Sequence, residues 1–391
     1  MGEIPEGVPR RRRASGLTNT RQRAAGRLGQ KAIQSGGKRP QTVRVKVYFI
    51  YCFPFGRWLL SHALSPGMRS VWWISLWLCS WGLLRAKEVA PNYTDLGQWA
   101  RTAELETRPN YANRTLLLTN EWTRIEFKLD TARVDMDGFE VRLSHPIRKQ
   151  GAHWQIATRD LETVLVPLTR PPKRHPGRPI KVIALGAGHG GNDPGNLAGP
   201  KREKTYTLAL ARAIRPLLEK AGFKVVMIRD DDLRVELEDR AERANLARAD
   251  LFVSVHFNGF SGSNPGAVSG VETYCLTPSG CSSSNDSEKN GGPWARGNKT
   301  DRENINLAYC IHRAVVDEME LPDRGVRRAR FKELTLLDMP GVLVEGGYLT
   351  NDHDVSLIDS ARGRSRYARA IADGILAYKR LVERGQAEEG K

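Results

Sequence analysis

Residues 249–259, "ADLFVSVHFNG", contain the pattern that decides the fold of most of this chain. Leu251 to Val255 is a continuous apolar run, which is typical of a strand buried on both faces of a sheet. The run does not end in the Gly or Pro of a plain turn, but leads directly into His256 and Asn258. Because sites in open α/β sheets form beyond the carboxyl ends of strands, this stretch indicates a functional position as well as a fold.

The same strand and helix rhythm extends over residues 180–384. The patterns predict strands at 181–185, 224–228, 251–255, 270–276 and 341–345, and helices at 203–222, 237–247, 303–320 and 367–382. This alternation predicts a three-layer αβα domain with a mixed, mostly parallel sheet. A Ser/Asn/Gly-rich stretch, residues 277–303, is too long for an ordinary connection, which predicts a functional lid or a mobile insertion.

A small α+β module, residues 121–169, precedes this domain. Its sequence "RVDMDGFEVRL" (133–143) alternates apolar and polar residues around Asp137-Gly138, a favoured two-residue hairpin turn. A strand and a short helix follow. The Pro-rich basic stretch "RPPKRHPGRP" (170–179) reads as the linker to the larger domain.

The net charge of +17 is concentrated at the N-terminus. Residues 1–67 contain 13 Lys and Arg against Glu3 and Glu6, so this basic tail carries +11 and the remaining 324 residues share +6. A charge confined to a tail argues against a nucleic-acid partner for the folded body. The mildly basic charge of the remaining residues is compatible with binding to an acidic polymer, but it does not identify that polymer.

An apolar run at residues 71–84, "VWWISLWLCSWGLL", follows Met68 and predicts a signal peptide or signal anchor within residues 68–90. It is short for a membrane span. We expect translation to begin at Met68, which would make residues 1–67 a mis-called start; a genuine basic tail on a signal anchor is the alternative. Either way we expect export to the periplasm or cell envelope, with transient membrane contact through the apolar segment. Residues 91–120 are a polar segment with little periodicity.

The five cysteines, at positions 52, 79, 275, 281 and 310, show neither a CxxC pair nor metal-ligand spacing. Cys275 and Cys281 could form a disulfide in an oxidising compartment. Unpaired thiols are an equally open interpretation.

Three apolar strands end in residues that can bind a metal ion. The strand at 181–185 leads through glycines into His189, the strand at 251–255 into His256, and "GVLV" into Glu345. Glu203 lies where a helix begins. Two imidazoles and one carboxylate form a known catalytic zinc set that leaves a position open for water. The other carboxylate can then act as the base that the water needs.

Each of these residues has a simpler interpretation when it is taken alone. A histidine after a strand is usually a hydrogen-bonded polar residue, Glu203 could be an acid favoured by the helix dipole, and Glu345 could be a buried ion-pair partner. Their shared placement at strand ends favours a metal site. The other histidines are expected to lie in tails, the small module, the linker or exposed stretches, and to bind no metal: 62, 145, 153, 175, 312 and 353.

Five separated blocks resemble the zinc-dependent N-acetylmuramoyl-L-alanine amidases of the amidase-3 type, in that family's order. The blocks are "GHGGNDPG" (188–195), "EKT" (203–205), "LRVELEDRAERANLARADLFVSVHFN" (233–258), "GVETY" (270–274) and "MPGVLVEGGYLTNDHD" (339–354). The resemblance implies one zinc ion per chain, with His189, Glu203 and His256 as its ligands and Glu345 as the catalytic acid/base. It also implies cleavage of the amide bond between N-acetylmuramic acid and L-alanine in peptidoglycan.

One position departs from the family pattern. The family usually has an Asp three residues before the first ligand histidine, and this chain has Gly186. If that Asp orients a ligand, we expect the site to hold zinc less firmly. Four further residues match family positions, and we interpret them as supporting groups rather than ligands: Asp193, Arg240, Asn245 and Asn258.

Two other functions stay open at this point. A non-catalytic peptidoglycan-binding protein on the same fold is supported only by Gly186. A zinc peptidase of different bond specificity is compatible with the same residues, because loops rather than ligands set the choice of substrate.

Overall fold

The computed structural model describes residues 91–174, 178–285 and 291–383. The predicted basic tail (1–67) and export segment (68–90) lie outside these residues. So do His175 of the linker and part of the predicted insertion, residues 286–290.

From residue 182 onward the structure contains the predicted strands and helices, together with a strand at Asp323–Ala329 that the sequence patterns did not predict. Short strands precede residue 182. The strands are β1 (Tyr93–Asp95), β2 (Glu106–Asn110), β3 (Thr115–Thr119), β4 (Arg124–Lys128), β5 (Arg133–Met136), β6 (Phe139–Arg142), β7 (Arg148–Gln150), β8 (His153–Ala157), β9 (Val182–Ala187), β10 (Leu197–Ala198), β11 (Lys201–Arg202), β12 (Lys224–Met227), β13 (Leu251–Asn258), β14 (Val271–Leu276), β15 (Asp323–Ala329) and β16 (Gly341–Tyr348). The α-helices are α1 (Leu96–Thr102), α2 (Thr158–Asp160), α3 (Val166–Thr169), α4 (Glu203–Lys220), α5 (Leu237–Leu246), α6 (Asp301–Met319), α7 (Lys332–Thr335), α8 (Asp352–Asp359) and α9 (Ala361–Glu383). A π-helical segment (Leu161–Leu165) joins α2 to α3, and short 3₁₀ turns occupy Pro265–Ala267 and Arg296–Thr300.

One mixed sheet organises the described part of the chain, in the order β12-β9-β13-β16-β14-β15-β6-β5-β4-β3-β2. Strands β12, β9, β13 and β16 are parallel to one another, β14 is antiparallel to β16, and β14 is parallel to β15. The predicted α/β fold is therefore confirmed, and the strands that lead into the candidate site are the parallel ones.

Helices cover both faces of the central strands, so the predicted three layers are present. On one face α4, α6 and α9 bury Ile214, Ile311 and Ile371 completely. On the other face α5 and α7 pack on a second apolar cluster that includes Phe252 and Leu334. Burial on both faces explains why the central strands read as uninterrupted apolar runs.

The N-terminal strands β2 to β6 are antiparallel and extend the same sheet, because β6 pairs with β15 where Val141 faces Val326. The predicted hairpin is confirmed: Asp137 (φ 51°) and Gly138 (φ 91°) turn β5 into β6. Strands in this region begin at Tyr93, well before residue 121. The sequence pattern missed β2 because that strand is exposed at every residue and shows no apolar alternation. It also missed β3, although Leu116 and Leu118 of that strand are buried.

Buried polar contacts fasten these N-terminal strands to the rest of the sheet. The Arg328 guanidinium lies 3.1 Å from an Asp160 carboxylate oxygen, and both side chains are buried. His312 Nε2 lies 2.8 Å from an Asp323 oxygen, and Asp323 also accepts the backbone N–H of Glu140. The expectation that His312 lies in an exposed stretch is wrong: it is fully buried, because α6 packs against the sheet.

Three further observations answer questions raised by the sequence. Within the part of the chain that the structure describes, Cys275, Cys281 and Cys310 form no disulfide, so Cys275 and Cys281 are not paired with each other. Within 277–285, the described start of the predicted insertion, Ser284 exchanges hydrogen bonds with the backbone of Arg328, so this part packs on β15. Among the described residues, no helix combines the length and the apolar character needed to cross a membrane.

Candidate metal centre

The carboxyl ends of the parallel strands bring the predicted site residues to one edge of the sheet. His189 follows β9, while His256 lies in β13 directly opposite Glu345 of β16. Glu203 is the first residue of α4, which packs against β9 and β13. Residues more than 150 positions apart therefore converge because neighbouring parallel strands end together.

His189, Glu203 and His256 form a compact donor cluster, in which one ligand atom from each lies within 4.8 Å of the others. The Glu203 carboxylate is fully buried between the two imidazoles. Its Oε2 lies 3.0 Å from His189 Nε2 and its Oε1 lies 2.9 Å from His256 Nδ1. The three residues predicted as ligands thus meet at a single point.

Glycines allow the backbone to approach this cluster. A Cβ on Gly188 would lie 2.3 Å from the His256 ring, and a Cβ on Gly195 would lie 2.6 Å from Glu203 Oε2, both far inside van der Waals contact. His189 itself adopts a left-handed backbone conformation (φ 59°), which is unusual for a residue with a side chain. A strained residue held by its surroundings is typical of a functional site.

Neighbouring polar groups orient the donors. Asp193 Oδ2 lies 2.9 Å from His189 Nδ1. Asn196 donates to Glu203 Oε2 from its backbone N–H (2.9 Å) and its side chain (3.0 Å). The backbone N–H of Phe257 donates to Glu203 Oε1 at 3.1 Å. The sequence analysis missed Asn196, because an asparagine in a turn carries no pattern of its own.

The charges of the donors stabilise one another. Burial favours the neutral form of Glu203, yet hydrogen bonds and charge interactions with His189 and His256 hold its pKa well below the usual range. At His189, burial opposes the imidazolium, but the bonds to Glu203 and Asp193 outweigh it and raise the pKa. The electrostatics therefore favour the anionic form of Glu203, the form in which a carboxylate can bind a metal ion.

Glu345 has the opposite electrostatics. Its Oε2 is buried and makes no hydrogen bond within the described part of the chain. Burial, together with the nearby carboxylates of Glu203, Glu272 and Glu333, raises its pKa well above the usual value. A buried carboxyl group with a raised pKa next to the donor cluster has the character of a group that accepts and donates protons.

The four residues expected to support the site divide into two pairs. Asp193 and Arg240 contact it: the Arg240 guanidinium donates to the carbonyls of His189 (2.9 Å) and Ala187 (3.0 Å). Asn245 instead bonds to the backbone of Leu336 and Asp338, and Asn258 donates to Glu272. Asn245 and Asn258 therefore bond to residues near the donor cluster rather than to the three predicted ligands.

Two buried carboxylates at this edge carried no role in the sequence analysis. Glu272 faces Glu345 across β14 and β16, and it accepts hydrogen bonds from Arg324, Tyr274 and Tyr348. A Glu inside the apolar strand "GVETYCL" is a signal that could have been noticed. Glu333 lies in the four-residue helix α7, where nothing in the sequence marks it as buried.

The donor set fits a divalent metal ion. Two imidazoles and a desolvated carboxylate, with donor atoms facing one another at close range, match the three-ligand pattern of catalytic zinc sites. The fit is chemical as well as geometric, because Glu203 stays ionised despite its burial.

Comparison with known proteins identifies the family that the chain resembles in sequence. The family model Amidase_3, described as N-acetylmuramoyl-L-alanine amidase, matches residues 183–377. The uncharacterized protein YqiI of Bacillus subtilis (strain 168) is 33% identical over 216 residues, and the match covers 54% of this chain and 92% of YqiI.

Two relatives with named activity are also similar. N-acetylmuramoyl-L-alanine amidase AmiC of Escherichia coli O6:H1 is 32% identical over 246 residues, which cover 56% of this chain and 58% of AmiC. The chain thus spans little more than half the length of that relative. The catalytic domain of the amidase CwlV from Bacillus (Paenibacillus) polymyxa var. colistinus is 31% identical with a TM-score of 0.43, covering 51% of this chain and 99% of that domain.

Proposed function

The chain belongs to the Amidase_3 family of N-acetylmuramoyl-L-alanine amidases, and from this premise we propose that it hydrolyses the amide bond between N-acetylmuramic acid and L-alanine in peptidoglycan. The observation that carries the proposal is the meeting of His189, Glu203 and His256 beside the protonatable Glu345. A binding protein would need neither the donor cluster nor the adjacent proton carrier.

We assign His189, Glu203 and His256 as the ligands of one zinc ion. When bound, such an ion supplies Lewis acidity, polarising the substrate carbonyl and lowering the pKa of a water molecule towards ~7. Asp193 holds the His189 ring, and Asn196 holds the Glu203 carboxylate, so both donors keep their orientation without substrate. Because the donors are already oriented, no free energy is needed to reorganise them during the reaction.

Glu345 is the proton carrier in this proposal. Its carboxylate takes the proton of the attacking water and passes it to the nitrogen of the departing L-alanine, so the peptide leaves as a neutral amine. The raised pKa favours the first transfer, and the pairing of Glu345 with His256 in adjacent strands places it beside the donors. Glu203 cannot share this task, because its pKa is held low by both imidazoles.

Peptidoglycan is an extracytoplasmic polymer, so the proposal places the protein in the periplasm or cell envelope. Export would use the predicted segment at 68–90. We further propose that residues 180–384 form the catalytic domain, with the module at 121–169 and the linker at 170–179 before it.

Digestion of purified peptidoglycan with the purified protein tests the function. We expect released stem peptides with a free L-alanine amino group and intact glycan strands, as measured by mass spectrometry. A chelator should abolish release and added zinc should restore it. The His256→Ala variant is the matched control and should release nothing.

The other outcomes separate the alternatives. Cleavage within the stem peptide would indicate a zinc peptidase of different specificity. Binding of the wild-type protein to peptidoglycan without any cleavage in the presence of zinc would indicate a non-catalytic wall-binding protein.

A further inference from the structure

The two nitrogens of His256 have different surroundings. Nδ1 faces the donor cluster, 2.9 Å from Glu203 Oε1. Nε2 points the other way, is buried, and makes no hydrogen bond to any residue that the structure describes. Glu333 Oε1 lies 4.0 Å from this nitrogen.

Glu333 is an unusual residue to find in this position. It is 2% exposed, and neither of its carboxylate oxygens makes a hydrogen bond within the described ranges. The guanidinium of Arg240 lies 4.0 Å from Oε2, but it already donates to the carbonyls of Val235, Ala187 and His189. Burying a carboxylate with so little compensation costs folding free energy, so stability alone does not explain it.

Contacts of the residues that follow Glu333 hold helix α7 in place. Leu334, the next residue, is buried in the apolar cluster that covers this face of the sheet. The Asn245 side chain fastens the connection after α7, donating to the carbonyl of Leu336 and accepting the N–H of Asp338. The short helix is therefore held by the buried Leu334 and by the Asn245 contacts that follow its C-terminus.

The neighbouring strand β9 contributes no carboxylate near His256 Nε2. Gly186 lies opposite Ser254 of β13, two residues before His256 and on the same face. A Cβ at position 186 would lie 3.1 Å from Ser254 Oγ, so this position faces the same interior space but contributes no side chain. An acidic group on this side of His256 comes from α7 instead.

We propose that Glu333 is a positioning residue for the metal centre, which favours a proton on His256 Nε2 and so leaves Nδ1 as the lone-pair donor towards the metal. This inference rests on the proposed function. Metal-binding histidines usually present their second ring nitrogen to a carboxylate or carbonyl, which sets the tautomer and the basicity of the ligand. Through the same carboxylate, Arg240 and the His189 backbone are coupled to His256. Glu333 thereby offsets the lack of an acidic side chain at position 186.

The test is zinc affinity, measured by competition with a chromophoric chelator on the purified protein. We expect Glu333→Leu to weaken zinc binding about 10–100-fold, the usual effect of losing such a partner. Glu333→Gln keeps an acceptor oxygen and should lose less. Ser254→Ala is the control, because Ser254 Oγ is also buried on this face without a hydrogen bond and should leave zinc affinity unchanged.

Thermal unfolding of the metal-free proteins distinguishes positioning from a structural role. Removing a poorly compensated buried carboxylate should leave the metal-free melting temperature unchanged or raise it. A lowered melting temperature in metal-free Glu333→Leu would instead assign Glu333 to the fold and overturn the inference. Wild-type zinc affinity in Glu333→Leu would also overturn it. Failure of the wild-type protein to bind zinc would overturn the proposed function itself.

Discussion

Strands β13 and β4 belong to one sheet, yet their side chains show different patterns of burial. The first five residues of β13 are all buried, whereas β4 alternates buried Ile125 and Phe127 with more exposed neighbours. The parallel centre is covered by helices on both faces, so polar groups are concentrated at the ends of its strands. The antiparallel end has room for polar side chains at every second residue.

This difference in burial explains why the candidate catalytic residues lie at the parallel end of the sheet. At the parallel end, carboxylates and imidazoles are forced together in dry surroundings, which shifts the pKa values of Glu203 and Glu345 in opposite directions. At the antiparallel end, charges such as Arg124 and Glu126 pair on the surface, where water screens them. We therefore expect substitutions to have very different effects in the two regions.

The largest effect is expected at the parallel end. Glu345→Gln keeps the shape of the side chain but cannot accept a proton, so turnover should fall about 10²–10⁴-fold while zinc content stays near one per chain. Glu203→Gln is the matched variant and should lose zinc together with activity. Metal content and amide hydrolysis are measured on the same preparations. Zinc loss in Glu345→Gln with retention in Glu203→Gln would show that the two roles are exchanged.

The second effect concerns the junction of the two regions. Arg328→Met leaves Asp160 buried without its cation and should lower the free energy of unfolding by about 3–5 kcal/mol. Urea denaturation at fixed zinc concentration measures this. A single transition for both proteins would mean that the two ends of the sheet unfold together. A separate early transition in the variant would show that the N-terminal strands form an independent unit.

The third effect depends on pH. Burial opposes ionisation of Asp323, but its hydrogen bond and charge interaction with His312 lower its pKa, so the anion stabilises the fold. This contribution is present above the ordinary Asp pKa and is lost as the pH falls through the lowered folded value. Asp323→Asn should therefore cost roughly 1–3 kcal/mol near neutral pH and progressively less in acid. A deficit that stays constant from neutral pH down to complete protonation would contradict this account.

The smallest effect is expected on the exposed face of β4. The Arg124 side chain is half exposed and pairs with Glu126, so Arg124→Ala should change the free energy of unfolding by only about 0–1 kcal/mol. Chemical denaturation measures it, and amidase activity should be unaffected. A loss comparable to that of Arg328→Met would mean that the two ends of the sheet do not differ as proposed.

Local patterns were enough to predict the elements with a clear period. Continuous apolar runs indicated β9, β13 and β16, and Asp137-Gly138 indicated the hairpin between β5 and β6. The four residues at the strand ends and helix start followed from the same patterns, because the direction of parallel strands determines which ends meet. Their identification as ligands and acid/base came from the resemblance and stays a proposal.

Only the tertiary structure showed what surrounds those residues. His312, Glu272 and Glu333 are buried by helices or strands that approach from distant parts of the sequence, and no periodicity within a few residues can report such contacts. Strand β6 joins β15 through the pairing of Val141 with Val326, two residues that are far apart in the sequence. The sequence alone determined which side chains stand at the strand ends, because backbone periodicity is local. The tertiary structure decided their partners and charge states, because burial and electrostatics depend on every element packed around them.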